Sequence, residues 1–479
     1  MAKNRELFLI KCIKMQSKKT QLLDLIVMFP EDPNFYSSDK GNLINSSKKY
    51  PDFRNFVLKR SGKKLLKKDK DYKYVKLAIE KGYIVFSKEI KDALFYLPKG
   101  VILYDIIHAY IMIQMQKEGF TRLGLPYFFK RGKKDINELV DKFGRRLMGI
   151  STSKDIFLRY ASDPVLFSFL RNAEIPEKYD PLKIYSSGDI FRSEKMGEIN
   201  RLKRPRISFI EDYHIFTSNA LKEIRHVHAI NSRVMDEICG EWFISCDIEE
   251  SFFKKQKKYL REMAEICKKP ILFNIYKTSP NYYTLQFQYF YGISDGTFIN
   301  YADLQLDNIN GKRFNIQIKD RGFVDIIHGN TTGRMEKLFI VLFDRAIKIE
   351  KENKKPMLPI WVSPVQVRII PTDNVFVDYC NNISEQFIKF GFRVDIDDTE
   401  LKFNKKIRNA EKEWIPYVIV IGEKEIKSGN ISLRIRNGNQ IVTTITRFIK
   451  ELESRLKEYP KIPQHLPVFV SKQLNINSL

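Results

Sequence analysis

Arg192 and Glu194 stand two residues apart, and so do Asp212 and His214 further along the chain. Alternate residues of a β-strand share a face. Two antiparallel strands carrying these pairs would therefore present a guanidinium, two carboxylates and an imidazole on one sheet surface. A guanidinium can hold a phosphate through two charge-assisted bonds, and a carboxylate can accept from an exocyclic amine. Between the pairs lie Arg201, Lys203, Arg204 and Arg206, a cationic flap suited to a triphosphate tail. An exposed hairpin with solvated salt bridges would show the same spacing, and such pairs contribute little.

The flanking text supports strands at these positions. KIYSSGDIFRSE reads as one strand, KMGEINRLKRPR as a loop and ISFIEDYHIF as a returning strand. FVDIIHGNTTG reads as a strand and glycine turn, followed by a helix with Met335, Leu338, Phe339, Leu342 and Ala346 on its apolar face. Upstream, Ile102, Ile106, Tyr110 and Ile113 recur at helical spacing, with Gly119 as a stop and a short strand ending at Pro126. The segment to about Tyr83 is lysine-rich and weakly patterned; its run from Lys59 to Tyr74 reads as RNA contact or solvated surface. Charge and proline break the pattern at Lys351 to Pro359. Strand and helix then alternate, which predicts a small α/β domain with a mostly parallel five-stranded sheet. Three regions follow: a basic extension over 1–90, an α+β domain over 91–357 and an α/β domain over 358–479.

Composition narrows the class. The chain of 479 residues is 43% hydrophobic and 13% aromatic, enough for several buried cores. Cys12, Cys239, Cys246, Cys267 and Cys380 form no CxxC pair, which excludes a cysteine-built zinc site and suits a reducing compartment. No apolar run is long enough to span a bilayer and no signal peptide is visible, so the chain reads as soluble and cytosolic. Lys+Arg total 83 against 58 Asp+Glu, a formal charge of +25. Such an excess attracts polyanions, nucleic acid first, although a lysine-rich proteome produces the same number without a ligand.

FRSEKMGEINRLKRPRISFIEDYHIF, Phe191 to Phe216, resembles motif two of the class II aminoacyl-tRNA synthetases, and specifically of the threonyl-tRNA synthetase family. LPKGVILYDIIHAYIMIQMQKEGFTRLGLPYF resembles motif one, with Pro126 as its proline. ADLQLDNINGKRF and VDIIHGNTTGRMEKLF resemble the late strand and motif three, and the stretch from LPIWVSPVQVRIIPT to ISLRIR resembles the anticodon-binding domain in archaeal wording. The likeness spans roughly the last four-fifths of the chain in several ordered motifs. It implies an antiparallel class II sheet flanked by helices. The implied activity joins threonine to ATP as an adenylate, with Mg2+ accompanying ATP, and then acylates tRNA(Thr).

The resemblance also implies roles. Arg192 clamps the α-phosphate, Glu194 reads the adenine amino group, Arg204 holds the γ-phosphate, Gln305 lies against the adenylate, and Asp212 receives the substrate ammonium. Family members hold a zinc ion that binds the amino group and hydroxyl of threonine and so rejects valine. His214 and His328 match two ligands, whereas the third, a cysteine in the family, is Asp163 here. Two histidines and a carboxylate can still hold zinc; the competing reading makes Asp163 a cap for a helix beginning at Pro164. The motif-three arginine is replaced by Lys337, which keeps charge but loses planar, bidentate geometry, while Arg334 nearby offers a guanidinium for the substrate. Arg434 and Arg436 sit where the family contacts anticodon bases.

The likeness further implies a homodimer formed through motif one. No editing sequence is recognisable ahead of that motif, so correction of serine-charged tRNA is expected from a separate protein. Two other readings stay open: a paralogue that binds tRNA but activates threonine weakly, encouraged by Asp163 and Lys337, and a class II enzyme for another amino acid such as proline. The pair His214 and His328 argues against the second. His108, His226, His228 and His465 match no site and read as surface or core residues. NYYTLQFQYFYG reads as a buried strand rather than a base-stacking platform.

Overall fold

A computed structural model describes residues 21–37, 49–61, 73–90, 93–194, 201–279 and 281–474. The chain divides into two compact units, one from the described parts of Met1–Asp71 with Met115–Val341, the other from Tyr72–Gln114 with Leu342–Leu479. The basic run from Lys59 to Tyr74 lies mostly outside the described residues, as does the first half of the loop after Glu194.

The first unit is built on one ten-stranded sheet. Its strands are β1 (Leu22–Phe29), β2 (Asp32–Ser37), β3 (Thr121–Arg122), β4 (Leu182–Phe191), β5 (Ile207–Thr217), β6 (Phe243–Glu249), β7 (Ile271–Tyr276), β8 (Leu285–Gly292), β9 (Phe298–Asp307) and β10 (Asp325–Arg334). They are ordered β2-β1-β7-β6-β8-β9-β10-β5-β4-β3. The pairings are antiparallel except β6 with β7 and β4 with β3.

The expected hairpin is present: β4 pairs with β5 in unbroken register from Leu182 opposite Phe216 to Phe191 opposite Ile207. The strand ends at Phe191, however, short of the rest of FRSE. The Glu194 amide turns back to the Arg192 carbonyl at 2.8 Å, so strand alternation does not set the faces of Arg192 and Glu194. The segment expected to be weakly patterned contributes two strands and helix α1 (Pro51–Arg60). Phe53, Phe56 and Val57 of α1 bury against Phe243 and Phe290, so this segment completes the sheet's far edge. Its strands escaped the sequence reading because LLDLIVMF runs from exposed to buried along its length instead of alternating. The aromatic run after Asn281 is the buried strand β8.

FVDIIHGNTTG departs from the expected strand and turn, because β10 continues through both glycines. Gly329 is there because the Tyr213 ring lies where a Cβ would stand, 2.3 Å from it. Gly333 takes φ +59 with the Tyr301 carbonyl 2.0 Å from the Cβ position, a place only glycine fills without strain. The helix that follows, Met335–Lys351, buries Met335, Leu338, Phe339, Leu342 and Ala346 as expected.

The second unit holds a five-stranded sheet of Val367–Pro371, Val394–Ile396, Tyr417–Ile421, Ile431–Ile435 and Gln440–Thr443. Only the first three strands are mutually parallel; the last two add antiparallel pairings. A short turn joins Ile435 to Gln440, and a connection that short can only return antiparallel. Arg368, fully buried, bonds Asp395 with Nε at 2.8 Å and Nη2 at 2.7 Å, and Glu413 with Nη1 at 2.8 Å. No helix among the described residues is long and apolar enough to cross a membrane.

Candidate active site

Strand register brings Asp212, His214, Gln305 and His328 onto one face. Asp212 lies opposite Asn330 and His214 opposite His328 across β5 and β10; Gln305 lies opposite His328 across β9 and β10. Period-two alternation then keeps Asp303, Gln305 and Asp307 of β9 on a common side.

At one end of this floor three donors converge. Asp163 opens the short helix Asp163–Phe169, and its carboxylate turns to the sheet instead of capping the helix. Asp163 Oδ1 meets His214 Nε2 at 2.8 Å and His328 Nδ1 at 3.2 Å, and Tyr282 donates its hydroxyl to Oδ2 at 3.3 Å. One ligand atom from each of Asp163, His214 and His328 lies within 4.8 Å of the others, and all three residues are buried. Phe167 presents its ring edge-on to both imidazoles, at 5.8 and 5.5 Å. On its outer side His328 Nε2 meets Asp307 Oδ2 at 2.9 Å; Asp307 is itself fixed by the amides of Ile309 and Asn310. Burial opposes charge on His328, but Asp163 and Asp307 on either side outweigh it and raise its pKa. Burial likewise opposes charge on Asp163, and the two imidazoles hold its carboxyl well below the usual range. This donor set, two imidazole nitrogens and a carboxylate oxygen with a second carboxylate orienting one ring, fits a zinc ion.

Asp212 sits beside this group and accepts from Ser162 Oγ at 2.8 Å. Burial raises its pKa, partly offset by His214.

Toward the other end the site is cationic. The Arg192 guanidinium stands 4.1 Å above the Tyr160 ring, and its Nε donates to the Tyr160 carbonyl at 3.4 Å. Burial pulls Arg334 down to about 10, with Arg192 adding to the effect. Lys337 is pushed down to about 8 by burial, then by Arg334, against the pull of Asp303. Arg334 Nη1 is buried without an acceptor in the protein, whereas Lys337 donates its ammonium to the Asn300 carbonyl. Beyond burial, Arg334 and Arg192 together lower the Lys337 pKa against the pull of Asp303 and Glu336, and a half-buried cluster of three cations suits a polyanion. Glu194 is buried beside them and held by Arg204 Nη2 at 2.9 Å. Burial opposes its charge, but Arg204 keeps its carboxyl below the usual range.

Arg434 and Arg436 belong to the other unit. Arg436 gives its guanidinium to the carbonyls of Pro356 and Glu411, at 2.8 and 2.7 Å. Arg434 is half-buried, and its Nε has no acceptor in the protein. His228 is a core residue, bonded to the Tyr289 hydroxyl at 2.6 Å and the Met263 carbonyl at 3.0 Å.

Sequence reasoning missed Asp303, Asp307, Tyr160 and Tyr282. Asp303 accepts from Gln286 Nε2 at 3.1 Å and Asn300 Nδ2 at 2.8 Å. The two carboxylates were findable, since they flank Gln305 at period two in ADLQLD; the tyrosines carried no local signal.

Known proteins resemble this chain in sequence and in fold. A family model described as an anticodon binding domain matches residues 366–457. A threonine–tRNA ligase from Pyrobaculum islandicum is 32% identical over 96% of this chain and 76% of its own length. Another from Pyrococcus horikoshii is 28% identical over 96% of this chain and 75% of its own length. Among solved structures, the RNA-binding domain of a Cryptosporidium parvum threonyl-tRNA synthetase superposes with a TM-score of 0.68 at 21% identity, covering 80% of this chain and 98% of its own. A prolyl-tRNA synthetase from the same organism, complexed with L-proline and AMP, gives 0.62 at 16% identity, over 81% and 75% of the two chains. The structural likenesses show the class II synthetase fold. The identity to the Pyrobaculum islandicum enzyme, sustained over nearly all of this chain and three quarters of the relative, shows that the chain belongs to the threonine–tRNA ligase family.

Proposed function

We propose that this chain activates L-threonine with ATP and transfers it to tRNA(Thr). The observation that carries the reading is the adjacency of a cation cluster, Arg192, Arg334 and Lys337, and a polar pocket, Asp163, Asp212, His214 and His328, linked by the attraction between Arg192 and Asp212. ATP, accompanied by Mg2+, lies with its phosphates on the cations and its adenine amino group toward Glu194. Arg204 must then exchange its bond to Glu194 for one to the γ-phosphate. Gln305 lies against the adenylate, Asp212 accepts a hydrogen bond from the threonine amino group, and the substrate carboxylate faces the α-phosphorus. In-line attack forms the acyl phosphate bond as pyrophosphate leaves. The terminal ribose hydroxyl of the tRNA then attacks the carbonyl, and AMP departs. These steps need positioning and fixed charge, not a covalent nucleophile.

Asp163, His214 and His328 would hold a zinc ion, which when bound supplies positions for the amino group and hydroxyl of threonine. Valine lacks the hydroxyl and is rejected. Serine keeps it, and one methyl is worth only about 1–3 kcal/mol, so serine-charged tRNA calls for hydrolytic correction. Arg434 is assigned to the anticodon. Arg436, spent on two carbonyls, must exchange those bonds to reach a base.

We further propose a homodimer through the motif-one surface, where Tyr127, Phe128 and Phe169 are exposed beside a cavity of 710 Å³ that includes Pro126. Threonine-dependent ATP–pyrophosphate exchange, followed by a charging panel over all amino acids, tests the assignment. Exchange with proline but not threonine would displace it. A second reading, tRNA binding without activation, is favoured by the tie of Lys337 to a backbone carbonyl. Binding of tRNA(Thr) without exchange would establish it.

A further inference from the structure

Tyr160 follows β-strand residues Ser153–Leu158 and lies under the phosphate arginine. One face of its ring carries the Arg192 guanidinium at 4.1 Å; the other stacks on Phe143 at 4.3 Å and 17°. Its carbonyl accepts from Arg192 Nε at 3.4 Å, and its hydroxyl accepts from Arg146 Nη1 at 3.4 Å. Arg146 in turn gives its own carbonyl to the amide of Ser193 at 2.8 Å, next to Arg192 in the chain. Gly144 takes φ +52, which turns the chain so that Phe143 and Arg146 both reach Tyr160.

An arginine side chain has many rotamers, and ordering it on ligand binding costs free energy. A ring beneath the guanidinium and a bond to its Nε remove most of that freedom beforehand and shield one face from water. The planar cation is attracted by the ring face as well. The opposite guanidinium edge stays available for phosphate oxygens.

We propose that Tyr160 is a positioning residue for ATP: clamped between Phe143 and Arg192, it holds the phosphate arginine in its binding geometry. This rests on the ligase reading above. It predicts that Tyr160 acts on the nucleotide and only through Arg192.

The test is a double-mutant cycle on the full-length chain, read by ATP Kd from calorimetry and by kcat/KM for ATP in threonine-dependent exchange. Tyr160→Leu should weaken both on the order of 2- to 30-fold, the range of a cation–ring contact, with threonine KM unchanged. Tyr160→Phe, which keeps both ring faces, should recover most of the loss. In an Arg192→Ala background Tyr160→Leu should leave ATP Kd where Arg192→Ala put it. An equal cost in both backgrounds overturns the proposal, as does a Tyr160→Phe variant as impaired as Tyr160→Leu. A parallel loss in threonine KM with a lowered melting temperature also overturns it, since that marks a general packing role. Failure of the unaltered chain to bind ATP refutes the ligase reading itself, and this assignment with it.

Discussion

Lys337 gives the nucleotide site a dependence on pH that an arginine would not. Its ammonium is held near other cations and away from water, so its pKa falls to about 8. The sign follows directly. Below that value the free protein carries the charge that meets phosphate; above it the group is neutral and the interaction is lost. About nine-tenths of the molecules are charged at pH 7 and about one-tenth at pH 9, so kcat/KM for ATP should drop roughly tenfold across that interval. Exchange at saturating threonine and subsaturating ATP, from pH 6.5 to 9.5, measures it. The substrate's own ammonium titrates in the same region, and Lys337→Arg provides the control. Arginine stays charged throughout, so this variant should lose the alkaline limb attributable to residue 337. Lys337→Met should lie low and flat, about 10- to 100-fold below the unaltered protein at pH 7, as expected for removing one charged hydrogen bond. An alkaline limb that persists unchanged in Lys337→Arg refutes the reasoning.

Three further outcomes are expected. Asp163→Ala should lower bound zinc in protein purified without a histidine tag and erode rejection of valine, whereas Asp163→Cys should retain both; full valine rejection by the metal-free alanine variant would contradict the donor assignment. His228 is fully buried, and burial pulls its pKa down to about 4, so it folds neutral while the unfolded chain takes a proton below about 6.5. The stability it contributes is therefore complete above that value and fades as pH falls toward 4, by about 2 kcal/mol between pH 7.5 and 5; denaturant melts of the protein and of His228→Asn should diverge accordingly, and parallel pH profiles would rule the contribution out. Gly329→Ala should destabilise the first unit by about 1–3 kcal/mol, because the new methyl meets the buried Tyr213 ring; a melting temperature equal to that of the parent protein would contradict the close packing.

Much of the site was legible in one dimension because hairpin periodicity is local. Asp212 and His214 alternate on β5 as their spacing implies, and β4 and β5 pair as their text implies. Arg192 and Glu194, by contrast, fall beyond the end of β4 in a turn that the text read as strand. The helix after Arg334 was equally plain, since its apolar period is set by residues a turn apart. Other features depended on residues distant in the chain. Asp163 meets His328 across 165 positions, so whether it caps a helix or joins two imidazoles was decided by packing. The glycines of β10 read as a turn because glycine breaks strands in isolation; the Tyr213 ring and the Tyr301 carbonyl make them necessary within the sheet. The leading segment offered no clean alternation, and only the open edge of β7 supplied its partner. Spacing along the chain thus determined which groups could act together, since that depends on backbone geometry alone. Burial, shifted protonation and the Tyr160 platform came from tertiary structure, because each requires surfaces that meet only after folding.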